Sequence, residues 1–315
     1  MSHTRFNGVS GAFWPTRRQV LAGFGAVAAT AILPVRRAFA LDIGGMEVST
    51  VSDGNLMQPV SFMLPDTPEA EAKALFEANG LTWGPLAPDC NVTVLKTADR
   101  LVVFDVGAGS NFMATAGKLL ENFSAAGLDP AAVTDVVFTH GHPDHLWGAV
   151  DDLDELVFPE AAWHMGQAEW DYWAAPDTLA ATPDDRKAFV VGAQSRMKAI
   201  GEKISFFKPG AEVLPGVEAI DTSGHTPGHM SFMLHGKNEP VIVIGDALTN
   251  AVISLKKPEW PIGPDQDREQ GVKTRLALLD RLATDKARVI GYHLPSPGIG
   301  RIERKDGAYA FAAEG

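Results

Sequence analysis

Cysteine is almost absent from this chain, which has one, Cys90, among its 315 residues. A monomer with a single cysteine cannot form an internal disulfide, and its metal sites cannot contain more than one thiolate. A metal site with several protein ligands must therefore be built mainly from histidine and carboxylate side chains. We expect Cys90 itself to be structural rather than catalytic.

Positive charge is also scarce, because 27 Lys and Arg face 39 Asp and Glu and leave a formal net charge of −12 at pH 7. A nucleic-acid partner is excluded on this ground, since phosphate binding needs a basic surface. Long apolar runs are lacking as well. The apolar run at residues 20–35 is shorter than the roughly 18 residues that a membrane-spanning helix needs, so we expect no stable membrane span.

The amino terminus departs from this acidic composition, because its first forty residues contain five arginines and no Asp or Glu. Residues 16–21 read TRRQVL, which places two adjacent arginines just before the apolar run. Residues 38–40 read AFA, the small-x-small pattern of a signal-peptidase site. This arrangement resembles a twin-arginine export signal. We expect residues 1–40 to be a signal peptide and residues 41–315 to form one periplasmic or secreted domain.

Hydrophobic patterning predicts an α/β fold in which two groups of strands are each interrupted by helices. The predicted strands span residues 46–51, 92–96, 101–105, 135–139, 156–158, 162–164, 204–207, 218–221, 230–234, 241–245 and 288–291. The predicted helices span residues 69–78, 113–126, 167–174, 184–200 and 271–283, and a turn is predicted at residues 52–55. Two mixed sheets packed face to face, with helices outside, would produce this order.

Histidine is concentrated in one short segment that follows a predicted strand. Residues 41–315 contain eight histidines: His140, His142, His145, His164, His225, His229, His235 and His293. Three of them lie within six positions in residues 139–145 (THGHPDH), here called the metal loop, which directly follows a predicted strand. Loops at the ends of packed strands are where catalytic groups usually lie.

The spacing within the metal loop favours two metal ions. His140 and His142 are two apart in extended chain, so their side chains project to the same side and can share one ion. Asp144 and His145 follow where the chain begins to turn into a helix, so they point elsewhere and can hold a second ion. Imidazole and carboxylate groups are good ligands for zinc and other first-row ions.

Further ligand-capable residues follow later predicted strands, each beside a glycine that lets the backbone approach closely. They lie in residues 224–229 (GHTPGH), at Gly245-Asp246, and at Gly291-Tyr292-His293. This order of motifs resembles the metallo-β-lactamase superfamily over residues 46–311. The resemblance implies a four-layer αββα sandwich in which two mixed sheets are flanked by helices.

The resemblance also implies a set of metal ligands. His140, His142 and His225 would bind the first ion, Asp144, His145 and His293 the second, and Asp246 would bridge the two. The expected cofactors are two divalent ions, with zinc favoured and Mn, Fe or Co as alternatives.

Other residues receive supporting roles from the same resemblance or from their residue type. Asp105 would orient a ligand histidine from beneath the metal loop, and His229 would lie behind the ligands rather than among them. His164 and His235 are interpreted as ordinary surface or pocket histidines. Phe112 and Trp173 are the aromatic residues chosen as candidates to line a substrate pocket. The expected partner is a small-molecule substrate. Because relatives in this family often dimerise, a homodimer is also possible for this chain.

The implied chemistry is hydrolysis. Two metal ions would share a hydroxide that attacks a carbonyl or phosphoryl centre, while they polarise the oxygen of the substrate. Asp246 would fix the spacing of the ions and Asp144 would help to move a proton to the leaving group, so these two carboxylates are the predicted catalytic residues. A metal-binding protein without catalysis is the competing class, and an intact ligand set with open positions argues against it.

Departures from the patterns of known subgroups narrow the range of expected substrates. Asp246 stands where the common zinc β-lactamases have cysteine, which counts against β-lactam hydrolysis. Too few residues follow His293 for the helical domain of glyoxalase II, and Thr249 replaces a tyrosine that is usual in N-acyl homoserine lactonases. Residues 293–300 (HLPSPGIG) resemble methyl parathion hydrolase and its exported relatives. Neutral esters are therefore expected, namely aryl phosphotriesters such as methyl parathion, lactones or aryl esters. An N-acyl homoserine lactonase and a generic carboxylic esterase stay as alternatives.

Overall fold

The computed structural model describes residues 40–237 and 239–314. The predicted export signal, apart from residue 40, lies outside these residues. Among the described residues no helix combines the length and the apolar character needed to cross a membrane.

The first sheet is built by the amino-terminal half of the described chain. Its strands, in spatial order, are β1 (Leu41–Asp42), β2 (Glu47–Asn55), β3 (Asp89–Lys96), β4 (Leu101–Phe104), β5 (Asp135–Val137), β6 (Ala162–Gly166) and β7 (Ile204–Phe207). Neighbours are antiparallel from β1 to β4 and parallel from β4 to β7. This is a mixed sheet, as the alternation of strands and helices predicts.

The second sheet follows the same plan. Its strands, in spatial order, are β14 (Ala308–Ala313), β13 (Ile299–Lys305), β12 (Arg288–Ile290), β11 (Val241–Val243), β10 (Met230–Leu234), β9 (Val217–Asp221) and β8 (Glu212–Leu214). Strands β11 and β12 are parallel, and the other neighbours are antiparallel.

The helices lie in the connections between strands. In chain order they are α1 (Val60–Met63), α2 (Glu69–Ala78), α3 (Leu119–Ala125), α4 (Pro143–Leu146), α5 (Gln167–Ala174), α6 (Pro176–Ala181), α7 (Lys187–Ile200), α8 (Ile253–Lys256) and α9 (Arg268–Asp285). Short 3₁₀ turns span Pro130–Ala132, Trp147–Ala149, Asp184–Arg186, Gly201–Lys203 and Gly245–Ala247.

Strand periodicity explains the four layers. Val102 and Phe104 of β4 point into the core between the two sheets, whereas Val103 packs under the helices on the outer face of the first sheet. Strand β11 repeats this pattern, because Val243 faces the inter-sheet core and Ile242 packs against α9. Both faces of these two strands are therefore buried, as period-2 alternation between two apolar layers requires. The predicted αββα sandwich is confirmed.

The turn predicted at residues 52–55 is wrong, because strand β2 runs through Asn55. The pairing with β3 shifts between Ser52 and Gly54, which marks a β-bulge, and Gly54 has φ +101. A glycine tolerates this conformation, so the bulge lets the strand continue through a sequence that resembles a turn.

The helix predicted at residues 113–126 is shorter than expected, because α3 begins only at Leu119. Gly117 interrupts the segment with φ +75, and the buried Asp53 carboxylate accepts hydrogen bonds from Gly117 N at 3.1 Å and Leu119 N at 2.8 Å. A distant side chain thus satisfies the backbone that a longer helix would have satisfied.

Further differences concern strands. The strand predicted at residues 156–158 is only an isolated bridge between Val150 and Leu156. Strands β1 and β8 and the carboxy-terminal hairpin of β13 and β14 were not predicted. The residues of β14 are mostly half-buried, so they lack the alternation that reveals a strand from sequence.

Candidate metal centre

The candidate metal ligands come together at the ends of four strands. The metal loop follows β5, His225 lies between β9 and β10, Asp246 follows β11, and His293 follows β12. They form two clusters of buried side chains whose ligand atoms lie within 4.8 Å of one another in each cluster. The first cluster contains His140, His142 and His225, and the second contains Asp144, His145, Asp246 and His293.

Three ring nitrogens converge in the first cluster. His142 Nδ1 lies 3.0 Å from His140 Nε2 and 2.9 Å from His225 Nε2. Zinc binds histidine nitrogens at about 2.0–2.1 Å, so tetrahedral ligands lie roughly 3.3 Å apart. The observed spacing is close to that of nitrogens that share one ion.

The second cluster combines two imidazoles with two carboxylates. His145 Nε2 lies 3.3 Å from Asp144 Oδ2 and 3.2 Å from Asp246 Oδ1. His293 Nε2 lies 3.2 Å from Asp144 Oδ2 and 3.3 Å from Asp246 Oδ2. Asp246 Oδ2 also lies 3.3 Å from His225 Nε2, so this carboxylate faces both clusters.

Buried polar atoms without hydrogen-bond partners indicate whether metal ions fit the two clusters. Asp144 Oδ2, His145 Nε2 and Asp246 Oδ1 are fully buried and have no hydrogen-bond partner within the described residues. Leaving such atoms unpaired costs about 1–3 kcal/mol each, and more for charged groups. Bound cations would satisfy all three, so the two clusters fit a dinuclear metal centre.

Protonation in the metal-free protein differs among the ligand histidines: although burial opposes the charge, Asp246 and Asp265 raise the pKa of His225 to about 9. Burial lowers the pKa of His140 and His142 well below the usual value, so both are neutral, as ligands must be. Burial alone would also lower the pKa of His145 and His293, but the charges of Asp246 and Asp144 raise both pKa values well above the usual range. The same carboxylates would attract divalent cations in place of these protons.

Asp105 lies beneath the metal loop, at the position for which it was chosen from sequence. Its Oδ2 lies 2.8 Å from His145 Nδ1 and accepts a hydrogen bond from Thr139 Oγ1 at 2.8 Å. Its Oδ1 accepts a hydrogen bond from Thr139 N at 2.8 Å. The carboxylate thereby orients His145 so that Nε2 faces the second cluster.

His229 stands outside both clusters. Its Nε2 accepts a hydrogen bond from Asp246 N at 2.9 Å, and its Nδ1 lies 2.8 Å from Thr222 Oγ1. Burial and the charge of His225 lower the pKa of His229 to about 3, so the ring is neutral. With both nitrogens engaged, His229 supports the backbone of Asp246.

Sequence reasoning missed the residues that hold His225. Asp265 Oδ1 lies 3.0 Å from His225 Nδ1, and Arg275 Nη2 donates to Asp265 Oδ2 at 2.6 Å. Both side chains are almost completely buried. An arginine in the middle of α9 indicates a supporting role only once its burial is known, so the amino-acid sequence alone does not reveal this pair.

A second missed carboxylate is Glu169, which is fully buried in α5. Its oxygens accept four hydrogen bonds, among them one from Gly141 N at 2.8 Å and one from Thr226 Oγ1 at 2.7 Å. These donors lie next to ligand histidines, so Glu169 belongs to the structure that supports the metal centre. No local pattern distinguishes it from an ordinary glutamate in the first turn of a helix.

A cavity of about 1020 Å³ opens above the clusters, and Asp144, Asp246 and His293 lie on its floor. Its walls are mainly apolar and aromatic: Leu56, Phe62, Phe112, Met113, Trp173, Phe189 and Val190. Phe112 and Trp173 both line the cavity.

His164 and His235 lie away from the clusters, whereas the thiol of Cys90 lies next to His293. His164 Nε2 lies 3.0 Å from Asp135 Oδ1, and His235 Nε2 lies 2.7 Å from Glu218 Oε2, so each pairs with a carboxylate outside the clusters. Cys90 is buried, and burial raises the pKa of its thiol to about 11. A thiol that stays protonated is a poor nucleophile, in keeping with a structural role.

Comparison with known proteins identifies the fold family. A sequence model described as the metallo-beta-lactamase superfamily matches residues 87–292, well over half of the chain. Among solved structures, the chain is similar to AidC, described as a dizinc quorum-quenching lactonase in complex with a product N-hexnoyl-L-homoserine. The identity is 27%, the TM-score is 0.82, and the match covers 88% of this chain and 97% of that one.

Two further proteins are similar to this chain. The hydrolase AbOPH of the beta lactamase superfamily is 27% identical with a TM-score of 0.80, over 87% of this chain and 96% of that one. Metallo-beta-lactamase domain-containing protein 1 of Xenopus laevis is 28% identical over 194 residues, which cover 61% of this chain and 66% of the Xenopus protein. The chain therefore spans just under two thirds of that curated relative. Together with the αββα sandwich and the paired clusters, these matches show that the chain belongs to the metallo-β-lactamase superfamily.

Proposed function

We propose that the protein is a dinuclear metal-dependent hydrolase of neutral ester-type substrates, namely aryl phosphotriesters, lactones or aryl esters. One observation carries the proposal: both clusters share Asp246 and open together into a cavity with mainly apolar walls. Concave apolar pockets with a few convergent polar groups favour hydrophobic ligands that are fixed by those groups. An uncharged ester with an aromatic or aliphatic arm has this character.

The residues of the metal centre would have different roles. His140, His142 and His225 would hold one ion, Asp144, His145 and His293 the other, and Asp246 both. When bound, the two ions supply a water activated near neutral pH and polarise the oxygen of the substrate. His145 and His293 lower the pKa of the buried Asp144 carboxylate despite its desolvation. Asp144 is therefore ionised on the cavity floor, as a metal ligand must be, and we propose as a separate role that it helps to direct a proton to the leaving group.

Charge at the mouth of the cavity favours uncharged substrates. Three exposed aspartates line it: Asp177, Asp185 and Asp267. Of the two arginines nearby, Arg268 pairs with Asp66, and Arg186 Nη2 donates to the neutral Gly263 O at 2.9 Å. The three aspartates therefore outnumber the one lining arginine that has no carboxylate partner among the described residues, which disfavours an anionic substrate. This counts against β-lactams, which carry a carboxylate.

Residues 293–300, which resemble the methyl parathion hydrolase subgroup, form the loop that positions His293. His293 Nδ1 donates to Asp89 O at 2.8 Å, and the buried Asn91 donates from Nδ2 to Leu294 O at 2.8 Å. Gly298 has φ +76 and lies against Asn91, so a glycine is required at that point of the run. Residues 293–300 thus hold His293 in place beside the second cluster. This structural role of the shared motif supports the proposal that the protein belongs to the methyl parathion hydrolase subgroup.

An N-acyl homoserine lactonase is the second candidate, favoured by the similarity to the quorum-quenching lactonase AidC. A neutral lactone with an acyl chain also suits a cavity of about 1020 Å³. Against it, Thr249 is buried three residues after Asp246, so this chain places no phenol there.

A hydrolysis panel on the zinc-loaded protein tests the proposal. It compares an aryl phosphotriester, an aryl ester, an acyl homoserine lactone and a β-lactam, with His142→Ala as the inactive variant. His235→Ala is the matched control, because His235 lies outside the centre in an exposed pair with Glu218. We expect neutral esters to be hydrolysed, His142→Ala to be inactive and His235→Ala to match the wild type. Dominance of the lactone selects the second candidate, whereas dominance of the β-lactam or an active His142→Ala overturns the proposal.

We also propose that the protein is exported through its amino-terminal twin-arginine segment, residues 16–21. Replacing both arginines by lysine keeps the charge and should abolish export in a fractionated bacterial host. Undiminished export of this variant would contradict the proposal.

A further inference from the structure

Glu169 is a fully buried carboxylate in α5 whose two oxygens are both occupied. Oε1 accepts hydrogen bonds from Gly141 N at 2.8 Å and from Trp173 Nε1 at 2.6 Å. Oε2 accepts hydrogen bonds from Thr226 Oγ1 at 2.7 Å and from Gly228 N at 3.0 Å. Four donors around one carboxylate offset part of the cost of burying its charge.

The donors connect the two loops that build the first cluster. Gly141 stands between His140 and His142, and Thr226 directly follows His225. Asp144 and His145 lie three and four residues after Gly141 in the same metal loop, and none of the four hydrogen bonds reaches the segments that carry Asp246 or His293. Glu169 therefore holds the backbone directly beside all three ligands of the first cluster, whereas the ligands of the second cluster lie further along the metal loop or on other segments.

Both loops lie too close to α5 to tolerate a side chain. A Cβ atom at Gly141 would lie 2.5 Å from Trp173 Nε1, and one at Gly228 would clash with the backbone of Glu169. The loops thus pack directly on the helix, and the carboxylate holds them there.

The arrangement needs an acceptor oxygen at both positions of the side chain. Each oxygen accepts from one backbone N–H, Gly141 on one side and Gly228 on the other, and a backbone N–H cannot reverse its role. Glutamine offers one acceptor and one NH₂ donor, so in either orientation its NH₂ group opposes a backbone N–H. Glu169→Gln preserves the shape of the side chain and breaks one of the two links.

We propose that Glu169 is the positioning residue of the first metal site: it sets the affinity for the ion held by His140, His142 and His225 and has a much smaller effect on the second site. The inference rests on the dinuclear centre proposed above. Residues that orient metal ligands commonly change metal affinity by about 10–100-fold when replaced.

Variants with one site each separate the two affinities. His145→Ala disables the second cluster, so its remaining zinc binds at the first, and His142→Ala does the reverse. Glu169→Gln is added to each parent, and the metal-free proteins are titrated with zinc in competition with a chelating dye. We expect the dissociation constant to rise at least tenfold in the His145→Ala parent and less than about threefold in the His142→Ala parent.

Three results overturn the inference. Equal weakening in both parents means that Glu169 acts on general stability, and an unchanged dissociation constant in the His145→Ala parent means that its hydrogen bonds do not set the affinity. If neither parent binds zinc, the dinuclear centre itself fails, and this inference fails with it. Because the measurement is binding, failure to find the substrate in the hydrolysis panel does not affect it.

Asp53→Asn is the matched control. Asp53 is also a fully buried carboxylate that accepts hydrogen bonds from backbone N–H groups, those of Ala108, Gly117 and Leu119, and none from the two histidine loops. We expect Asp53→Asn to lower the melting temperature without a preference between the two sites. If Glu169→Gln does not fold, Thr226→Val removes one donor and should weaken zinc binding by a smaller factor, again only in the His145→Ala parent. Equal effects in both parents would overturn the inference here too.

Discussion

Asp246 Oδ2 lies 3.3 Å from His225 Nε2, a ligand candidate of the first cluster. The same oxygen lies 3.3 Å from His293 Nε2 in the second cluster. One carboxylate atom is therefore within reach of cations in both positions, and its replacement should affect both ions.

Asp246→Asn keeps the size of the side chain but removes its charge. We expect the variant to retain less than two equivalents of metal after dialysis and to lose roughly 100-fold or more in kcat/KM, since even residues that only support ligands cost about 10–100-fold. Elemental analysis and steady-state kinetics measure the two effects. A variant that keeps both ions and full activity would show that Asp246 does not bridge.

His229→Gln tests whether His229 supports the centre or belongs to it. Both ring nitrogens are engaged, with Asp246 N and Thr222 Oγ1, so the variant should retain two metal equivalents. Catalysis should fall by about 10–100-fold because the flexible glutamine amide cannot reach Asp246 N and Thr222 Oγ1 together, so it no longer holds a fixed acceptor at the backbone of Asp246. The comparison is His225→Ala, which should lose the first ion. Loss of one ion from His229→Gln would identify His229 as a ligand.

Arg275→Met tests the buried pair behind His225. The side chains of Arg275 and Asp265 are 1% and 2% exposed, so removing the guanidinium leaves a buried carboxylate without its cation. We expect the free energy of unfolding of the metal-free protein to fall by about 3–5 kcal/mol. Urea titration measures this, and the additional change Asp265→Asn should restore part of the loss. Additive losses in the double variant would contradict the pairing.

Asp135 gives a pH-dependent contribution to stability away from the metals. Its carboxylate accepts hydrogen bonds from Arg100 Nη1 at 2.8 Å and Thr134 Oγ1 at 2.7 Å and pairs with His164. Burial opposes the charge, but these partners lower the pKa below the usual 3.8. The stabilisation is therefore complete above the usual pKa and fades as the pH falls below it.

Asp135→Asn should accordingly cost about 1–2 kcal/mol at pH 7 and progressively less below pH 4. Urea unfolding of the metal-free proteins over this range checks the difference, with the exposed Asp177→Asn as the control. A difference that does not change with pH would contradict the sign argued here.

Local sequence patterns predicted many of the helices and strands and most of the candidate metal ligands. Helix α2 and strand β10 have the predicted bounds because their own residues determine them. The metal loop was recognisable because its three histidines and Asp144 are neighbours in sequence. Strand ends then brought in Asp246 and His293, as their glycine-flanked motifs indicate.

What the sequence did not reveal depends on distant contacts. The start of α3 is determined by Asp53, more than sixty residues earlier in the chain. Glu169 and Asp265 resemble ordinary acidic residues until folding places them beside backbone donors and His225. Residues that support a metal centre from behind are defined by packing, so residue type and spacing alone do not identify them.

A zinc titration of the metal-free protein tests the central claim most directly, with bound metal and hydrolysis of a neutral aryl ester followed together. We predict two tightly bound equivalents, with activity that rises to its maximum only as the second site fills, and one equivalent without activity in His142→Ala. Full activity at one equivalent, or hydrolysis that persists without metal, would contradict a dinuclear hydrolase.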